Sequence, residues 1–176
     1  MSVATQISGN IRPNNKAMHS FIHMLTHIGI DVTHPIRDES FFYNTNTSNA
    51  WHYYNQEIDF YESIAGSAFH VIYNDELIDE EVSMQILYAM LKQRPIVMAG
   101  APHFSESVHP FTKGLITRNM PLFHSADLPE LELTELSHLL SQLKPTEYKL
   151  QNSEKILVHA NIQKHFRALL DQAKSQ

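Results

Sequence analysis

The sequence predicts an α/β protein built on a doubly wound (Rossmann-like or flavodoxin-like) parallel sheet of about five strands, with helices on both faces. Two observations support this prediction. Apolar runs of strand length alternate with segments of helical spacing along most of the chain. In the middle, the run Ala68 to Tyr73, the helical pattern Glu81 to Leu91 and the run Pro95 to Met98 form a strand, a helix and a strand. Such units are parallel crossovers in nearly all folds, which favours a parallel sheet.

Each expected element follows from a local pattern. Residues such as Met18 and Phe21 recur at helical spacing in the first helix, and Gly29 is the residue expected just after its end. Residues 36–50 and 99–113 show neither period, so we expect loops there. The predicted strands are residues 3–8, 30–34, 68–73, 95–98 and 120–124, and the predicted helices are residues 16–28, 51–64, 81–91, 131–143 and 151–173.

Composition limits the classes of function. The chain has 176 residues, 43% of them hydrophobic, and a formal net charge of −6. An acidic chain lacks the clustered Lys and Arg that bind nucleic-acid polymers, so a small ligand or a protein partner is favoured. There are no cysteines, and we see neither a basic, apolar leader nor a membrane-length apolar run. We therefore expect a soluble, cytoplasmic protein.

An acidic loop leaves the first strand of the central unit, where it holds Asp75 and Asp79. Ligands of doubly wound sheets lie beyond the carboxyl ends of the strands, so this loop is the first place to look for a site. There is a simpler interpretation of Asp79, Glu80 and Glu81. Carboxylates at a helix N-terminus cap free N–H groups and interact favourably with the helix dipole.

The order of several motifs resembles the nucleoside 2-deoxyribosyltransferase superfamily, which also contains deoxynucleoside 5′-monophosphate N-glycosidases. The match spans roughly Val3 to Met98, and its strength lies in order and spacing, because each motif alone is weak. The matching segments are Gln6–Arg12, Gly29–Pro35, Asp59, the strand Ala68–Tyr73, Asp79, Gln85–Ala89 and Gln93–Ile96. The resemblance implies a transferase-like α/β domain over 1–145. Residues 146–176 would be a helical extension that packs on the same domain or on a neighbouring subunit.

The resemblance also implies roles for individual residues. In that superfamily a Glu attacks the anomeric carbon of deoxyribose, and its position here is Gln85. Asp59 and Asp79 occupy the positions of two aspartates that face the base. Gln6 stands where relatives carry a Tyr that contacts the nucleophile. The candidate catalytic residues are Gln85, Glu81, Asp59 and Asp79, and the candidate ligand-binding residues are Gln6, Gly9, Asn10, Arg12 and Asp75.

These assignments lead to three hypotheses of function. The first is a protein that binds a nucleoside or nucleotide without standard deoxyribosyl transfer, because a neutral amide is a poor nucleophile. The alternative is an N-glycoside hydrolase or transferase that uses a rearranged carboxylate, Glu81 or Glu80. The third is an interaction protein that keeps only the fold, with an occluded site. We expect no cofactor and no metal, and the resemblance implies a homo-oligomer.

Histidines and aromatic residues offer further candidates, each with a simple structural interpretation. His19, His23 and His27 are four residues apart, and we expect them on a solvated helix face rather than around a metal. His70 lies within an apolar strand, so we expect it to be buried. The aromatic cluster that begins with Trp51 opens the second helix, and we expect core packing there in preference to stacking on a base.

Overall fold

A computed structural model gives the fold, and it describes residues 3–9, 16–33, 48–73, 77–99, 103–122, 124–126, 133–143 and 148–175. The strands are β1 (Val3–Gly9), β2 (Ile30–Thr33), β3 (Phe69–Tyr73), β4 (Leu77–Ile78), β5 (Ile96–Ala99), β6 (His103–Phe104) and β7 (His124–Ala126). The helices are α1 (Lys16–His27), α2 (Ser48–Gly66), α3 (Glu80–Leu91), α4 (Pro110–Asn119), α5 (Leu133–Gln142) and α6 (Asn152–Lys174). A short 3-10 helix, Met120–Leu122, continues α4.

The main sheet has the strand order β2-β1-β3-β5-β7, and every described pair in it is parallel. Tyr73 at the end of β3 pairs with Gly9 at the end of β1 and with Ala99 at the end of β5. Three neighbouring strands therefore finish at the same level, which we call the carboxyl edge of the sheet. A separate parallel pair joins β4 to β6, with Leu77 opposite His103. The predicted α/β class and the parallel sheet are confirmed.

Strand β3 lies in the centre because both of its faces are apolar, as is typical of parallel strands covered on two sides. All five of its residues are buried. Phe69, Val71 and Tyr73 belong to a core cluster with α1, whereas Ile72 belongs to a second cluster with α2, α3, α4 and α6. His70 is buried, as predicted, and its ring lies 6.5 Å from the ring of Phe60 on α2.

Helix α6 packs on the outside of α2 and α3. Phe166 places its ring 4.7 Å from that of Tyr61 on α2, and Tyr61 in turn contacts Tyr88 on α3 at 5.2 Å. At the start of α6, Arg118 of α4 pairs with Glu154, with its Nη2 donating to Oε2 at 2.7 Å. The tail is therefore bound to the helices that flank the sheet. The proposed division at residue 145 stays a prediction.

Arg94 joins several elements at the opposite, amino edge of the sheet. Its guanidinium donates a hydrogen bond to the carbonyl of Ala65 near the end of α2. Its own carbonyl accepts a hydrogen bond from the Tyr148 hydroxyl at 3.1 Å, and burial raises the pKa of that phenol. Gln93 makes this turn with a φ of 54°, a left-handed conformation that L-residues seldom adopt. One short turn thus fastens the ends of α2 and α3 and the segment before α6.

Three sequence-based expectations were wrong. The strand expected over 120–124 is a 3-10 turn through Leu122 followed by β7, which begins at His124. The loop expected over 99–113 contains the start of α4, whose Pro110 occupies the first turn, where its missing N–H costs nothing. Trp51 is 44% exposed rather than part of the core, with an edge-to-face contact to Tyr54 at 6.0 Å. The expected loop over 36–50 lies mostly outside the described residues.

Candidate functional site

Helix α3 begins near the carboxyl edge, whereas the longer helix α2 begins beyond it. Each is joined to the strand that follows it by a short turn, so each runs antiparallel to the sheet. The contact between Phe60 and His70 requires such a reversal after α2, and the bond from Arg94 to the end of α2 brings the two helix ends together. The first turn of α3 and the middle of α2, around Glu57, therefore lie near the edge where ligands of parallel sheets bind.

Asp79 is the N-cap of α3. Its backbone is extended (φ −87°, ψ −176°), and its Oδ1 accepts a hydrogen bond from the N–H of Val82 at 2.8 Å. This is the usual N-cap geometry, so helix capping, the simpler interpretation of Asp79, accounts for one of its two carboxylate oxygens. Its side chain is exposed at the carboxyl edge. A ligand role for Asp79 stays a prediction.

Gln85 is buried inside α3, with 2% of its surface exposed. Its Nε2 donates to Oε1 of Glu81 at 3.3 Å, one helical turn toward the carboxyl edge. No other hydrogen bond of this amide is present in the described part of the chain. Glu81 is half-buried, so a carboxylate and an amide lie side by side. This pair can accept and donate hydrogen bonds to a ligand, but its amide cannot serve as a strong nucleophile.

Asp59 is exposed on α2. The buried stripe of that helix runs through Phe60, Tyr61 and Ile64, and the helical period places Asp59 on the opposite side. No described contact brings its side chain to Gln85. The polar-face interpretation fits this exposure, and a base-facing role for Asp59 stays a prediction.

Glu57 is the carboxylate that sequence reasoning missed. It belongs to the buried stripe of α2 and is only 2% exposed. The signal was present in the sequence, because Glu57 precedes Phe60, Tyr61 and Ile64 at helical spacing. Motif position points to Asp59 instead.

Strand β1 carries two other predicted residues. Gln6 pairs through its backbone with His70 of β3 and Thr33 of β2, and Gly9 ends the strand at the carboxyl edge. The remaining predicted ligand-binding residues, Asn10, Arg12 and Asp75, lie outside the described residues. The structure thus brings Glu81 and Gln85 into contact on α3, and Asp79 caps the start of the same helix. The end of β1 lies at the same edge.

Helix α6 brings His165 to the neighbourhood of α3. Its ring lies 6.2 Å from that of Tyr61, and its buried Nε2 has no hydrogen-bond partner in the ranges described. Burial lowers the pKa of His165, and the negative charge of Glu80 in the first turn of α3 partly opposes that shift. The imidazole is therefore held in its neutral form over a wider pH range than a solvated histidine.

The expected histidine face is confirmed, because His19, His23 and His27 are all exposed on α1. Among the residues that the structure describes, no three His, Asp or Glu side chains are grouped as metal ligands. Within the same residues, no helix has the length and apolar character needed to cross a bilayer.

Comparison with known proteins gives only remote likeness, and only to solved structures. No family model matches the sequence, and no curated protein matches it. Among solved structures, the chain is similar to the CMP N-glycosidase BcmB of Clostridium botulinum. The two share 12% identity over 78% of this chain and 98% of that one, with a TM-score of 0.43.

Proposed function

We propose that this protein binds a nucleoside, a nucleotide or a similar base–ribose compound at the carboxyl edge of its sheet, without standard deoxyribosyl transfer. The observation that carries the proposal is Gln85, a buried neutral amide whose hydrogen bond goes to Glu81. In the superfamily that the sequence resembles, this position holds the nucleophilic carboxylate. An amide cannot stabilise an oxocarbenium-like centre as a carboxylate does, so the activation barrier is higher by several kcal/mol. Each 1.36 kcal/mol of barrier lowers the rate about tenfold.

The architecture supports the same proposal. We infer a doubly wound sheet, because core clusters with different helices lie on the two faces of β3. In such sheets the strand ends at a change of direction form the ligand crevice. The order β2-β1-β3 reverses beside β1, whose last residue, Gly9, lies at the carboxyl edge. We also propose a homo-oligomer, and light scattering coupled to size exclusion measures that state.

Calorimetric titration tests the proposed function. The full chain is titrated with ribo- and deoxyribonucleosides of each base and with their 5′-monophosphates. We expect saturable binding of at least one compound. Thermal shift in the same panel should rise with ligand concentration, because a ligand that binds the folded state stabilises it. If no compound of the panel binds, the proposed function is wrong.

A second candidate function is N-glycoside cleavage by a relocated carboxylate. Glu81 favours it, because its Oε1 lies 3.3 Å from the Gln85 amide and the side chain is half-buried. The test measures the release of free base from deoxynucleosides by chromatography. This candidate requires release that disappears in Glu81→Gln and persists in Glu106→Gln, an exposed control outside α3. Release that survives Glu81→Gln removes the candidate.

A further inference from the structure

Glu57 lies on the buried face of α2 among apolar side chains. It is 2% exposed, and Phe60, Tyr61 and Ile64 of the same stripe are also buried. Removing a carboxylate from water is costly unless donors surround it. A buried carboxylate is therefore stable only where N–H or O–H groups, of the protein or of a ligand, donate to it. Asp59, only two residues away, is exposed on the other side of the helix.

The height of Glu57 along the sheet follows from simple geometry. About nine residues separate Glu57 from Gly66 at the end of α2, which is about 13 Å of helix. Strand β3 rises by about 13 Å from Phe69 to Tyr73 in the opposite direction. This estimate places Glu57 near the level of Tyr73, whose strand partners are Gly9 and Ala99. This is the carboxyl edge.

The lateral position of Glu57 follows from the contact between α2 and α3. The Tyr61 and Tyr88 rings are 5.2 Å apart, and the two helices run in the same direction. One turn toward the carboxyl edge from this contact leads to Glu57 on α2 and to Gln85 on α3. Two buried polar side chains thus occupy the same level of adjacent helices, above an aromatic pair.

We propose that Glu57, rather than Asp59, is the carboxylate that α2 contributes to the ligand site, and that it selects bases that carry an exocyclic amine. The proposal rests on the proposed nucleoside-binding function and deepens it. An ionised carboxylate only accepts hydrogen bonds. Cytosine and adenine present an amine donor where uracil and hypoxanthine present a carbonyl acceptor, so the carboxylate attracts the first pair and repels the second.

The test compares matched ligands and matched variants by calorimetry. The ligand pairs are cytidine with uridine and adenosine with inosine, and the variants are Glu57→Gln and Asp59→Asn. A charged hydrogen bond of this kind gives a preference of about tenfold or more. We expect the wild type to favour the amine member of at least one pair by that factor. Glu57→Gln should reduce the ratio about tenfold, because an amide can also donate to a carbonyl, and Asp59→Asn should leave it unchanged.

Three results would overturn the inference. The first is a wild type that binds amine and carbonyl bases equally well, which needs no variant and so does not depend on folding. The second is a Glu57→Gln protein that loses affinity for both members by the same factor, as a purely structural role predicts. The third is a change of ratio in Asp59→Asn. Any of these leaves the binding function intact, whereas absence of all nucleoside binding removes both proposals.

Discussion

Replacing Gln85 with glutamate tests whether this position is buried beside a carboxylate. In Gln85→Glu the hydrogen bond to Glu81 becomes a contact between two carboxylates at about the same separation, 3.3 Å. At an effective dielectric constant of about 20, two unit charges at that distance repel by about 5 kcal/mol. The pair avoids part of this cost by keeping one proton, which raises the pKa of the new carboxyl in the folded state.

The cost of keeping the new carboxyl of Gln85→Glu protonated sets an upper limit to the loss of stability. An unfolded glutamate has a pKa of about 4.3, and keeping it protonated at pH 7.5 costs about 1.36 kcal/mol per pH unit, or about 4 kcal/mol. We therefore expect Gln85→Glu to lose about 2–4 kcal/mol of unfolding free energy at pH 7.5. Because the folded-state pKa is raised, the loss develops as pH rises above about 4.3 and is absent below it.

The assay is thermal unfolding of wild type and variant, each measured from pH 4 to pH 8. For a chain of this size the loss corresponds to a decrease in Tm of roughly 5–15 °C at pH 7.5. Gln172→Glu is the matched control, because Gln172 is exposed near the end of α6, and it should change stability by no more than about 0.5 kcal/mol. A Gln85→Glu protein as stable as the wild type at every pH would refute the placement of residue 85 beside Glu81.

Three other predictions concern the helices around the site. Asp79→Ala should lower stability by about 0.5–2 kcal/mol in denaturant unfolding, because the N–H of Val82 loses its capping acceptor. The wild type should lose stability as pH falls below about 6.5, because the lowered pKa of His165 means that the unfolded chain takes up its proton first. His165→Phe should weaken this dependence of stability on pH. Glu80→Gln should strengthen it, because the charge of Glu80 opposes the lowering of the His165 pKa. Ile86→Ala should cost about 2–5 kcal/mol, because the side chain is fully buried, and a cost below 1 kcal/mol would contradict that packing.

The sequence was most informative where one local pattern decided the structure. The apolar run that predicts β3 is buried on both faces, and helical spacing with a following glycine predicted α1 well. Prediction failed at α4, because the mixed composition of Phe111 to Asn119 shows no apolar stripe. Pro110 favours a loop in the sequence, although proline is also common in the first turn of a helix.

The candidate site shows a different kind of limit. Alignment to a resembling family selects positions by spacing, and spacing favoured Asp59. Burial is decided by helical phase, and phase places Glu57 in the stripe with Phe60 and Tyr61. The contact of Gln85 with Glu81 was predictable, because side chains four residues apart on a helix are neighbours. The burial of Gln85 was not predictable, because the sequence does not show which neighbours will cover a polar residue.

Arg94 has a consequence for how this molecule can be altered. Its links to Ala65 and Tyr148 hold the protein together at the end farthest from the proposed binding site. Segments at the opposite end can therefore be exchanged or lengthened with little effect on the scaffold, since loop closure costs grow slowly with length. The amino edge of the sheet is thus fixed by these hydrogen bonds, whereas the segments at the carboxyl edge can be varied. This arrangement suits the engineering of new ligand preferences.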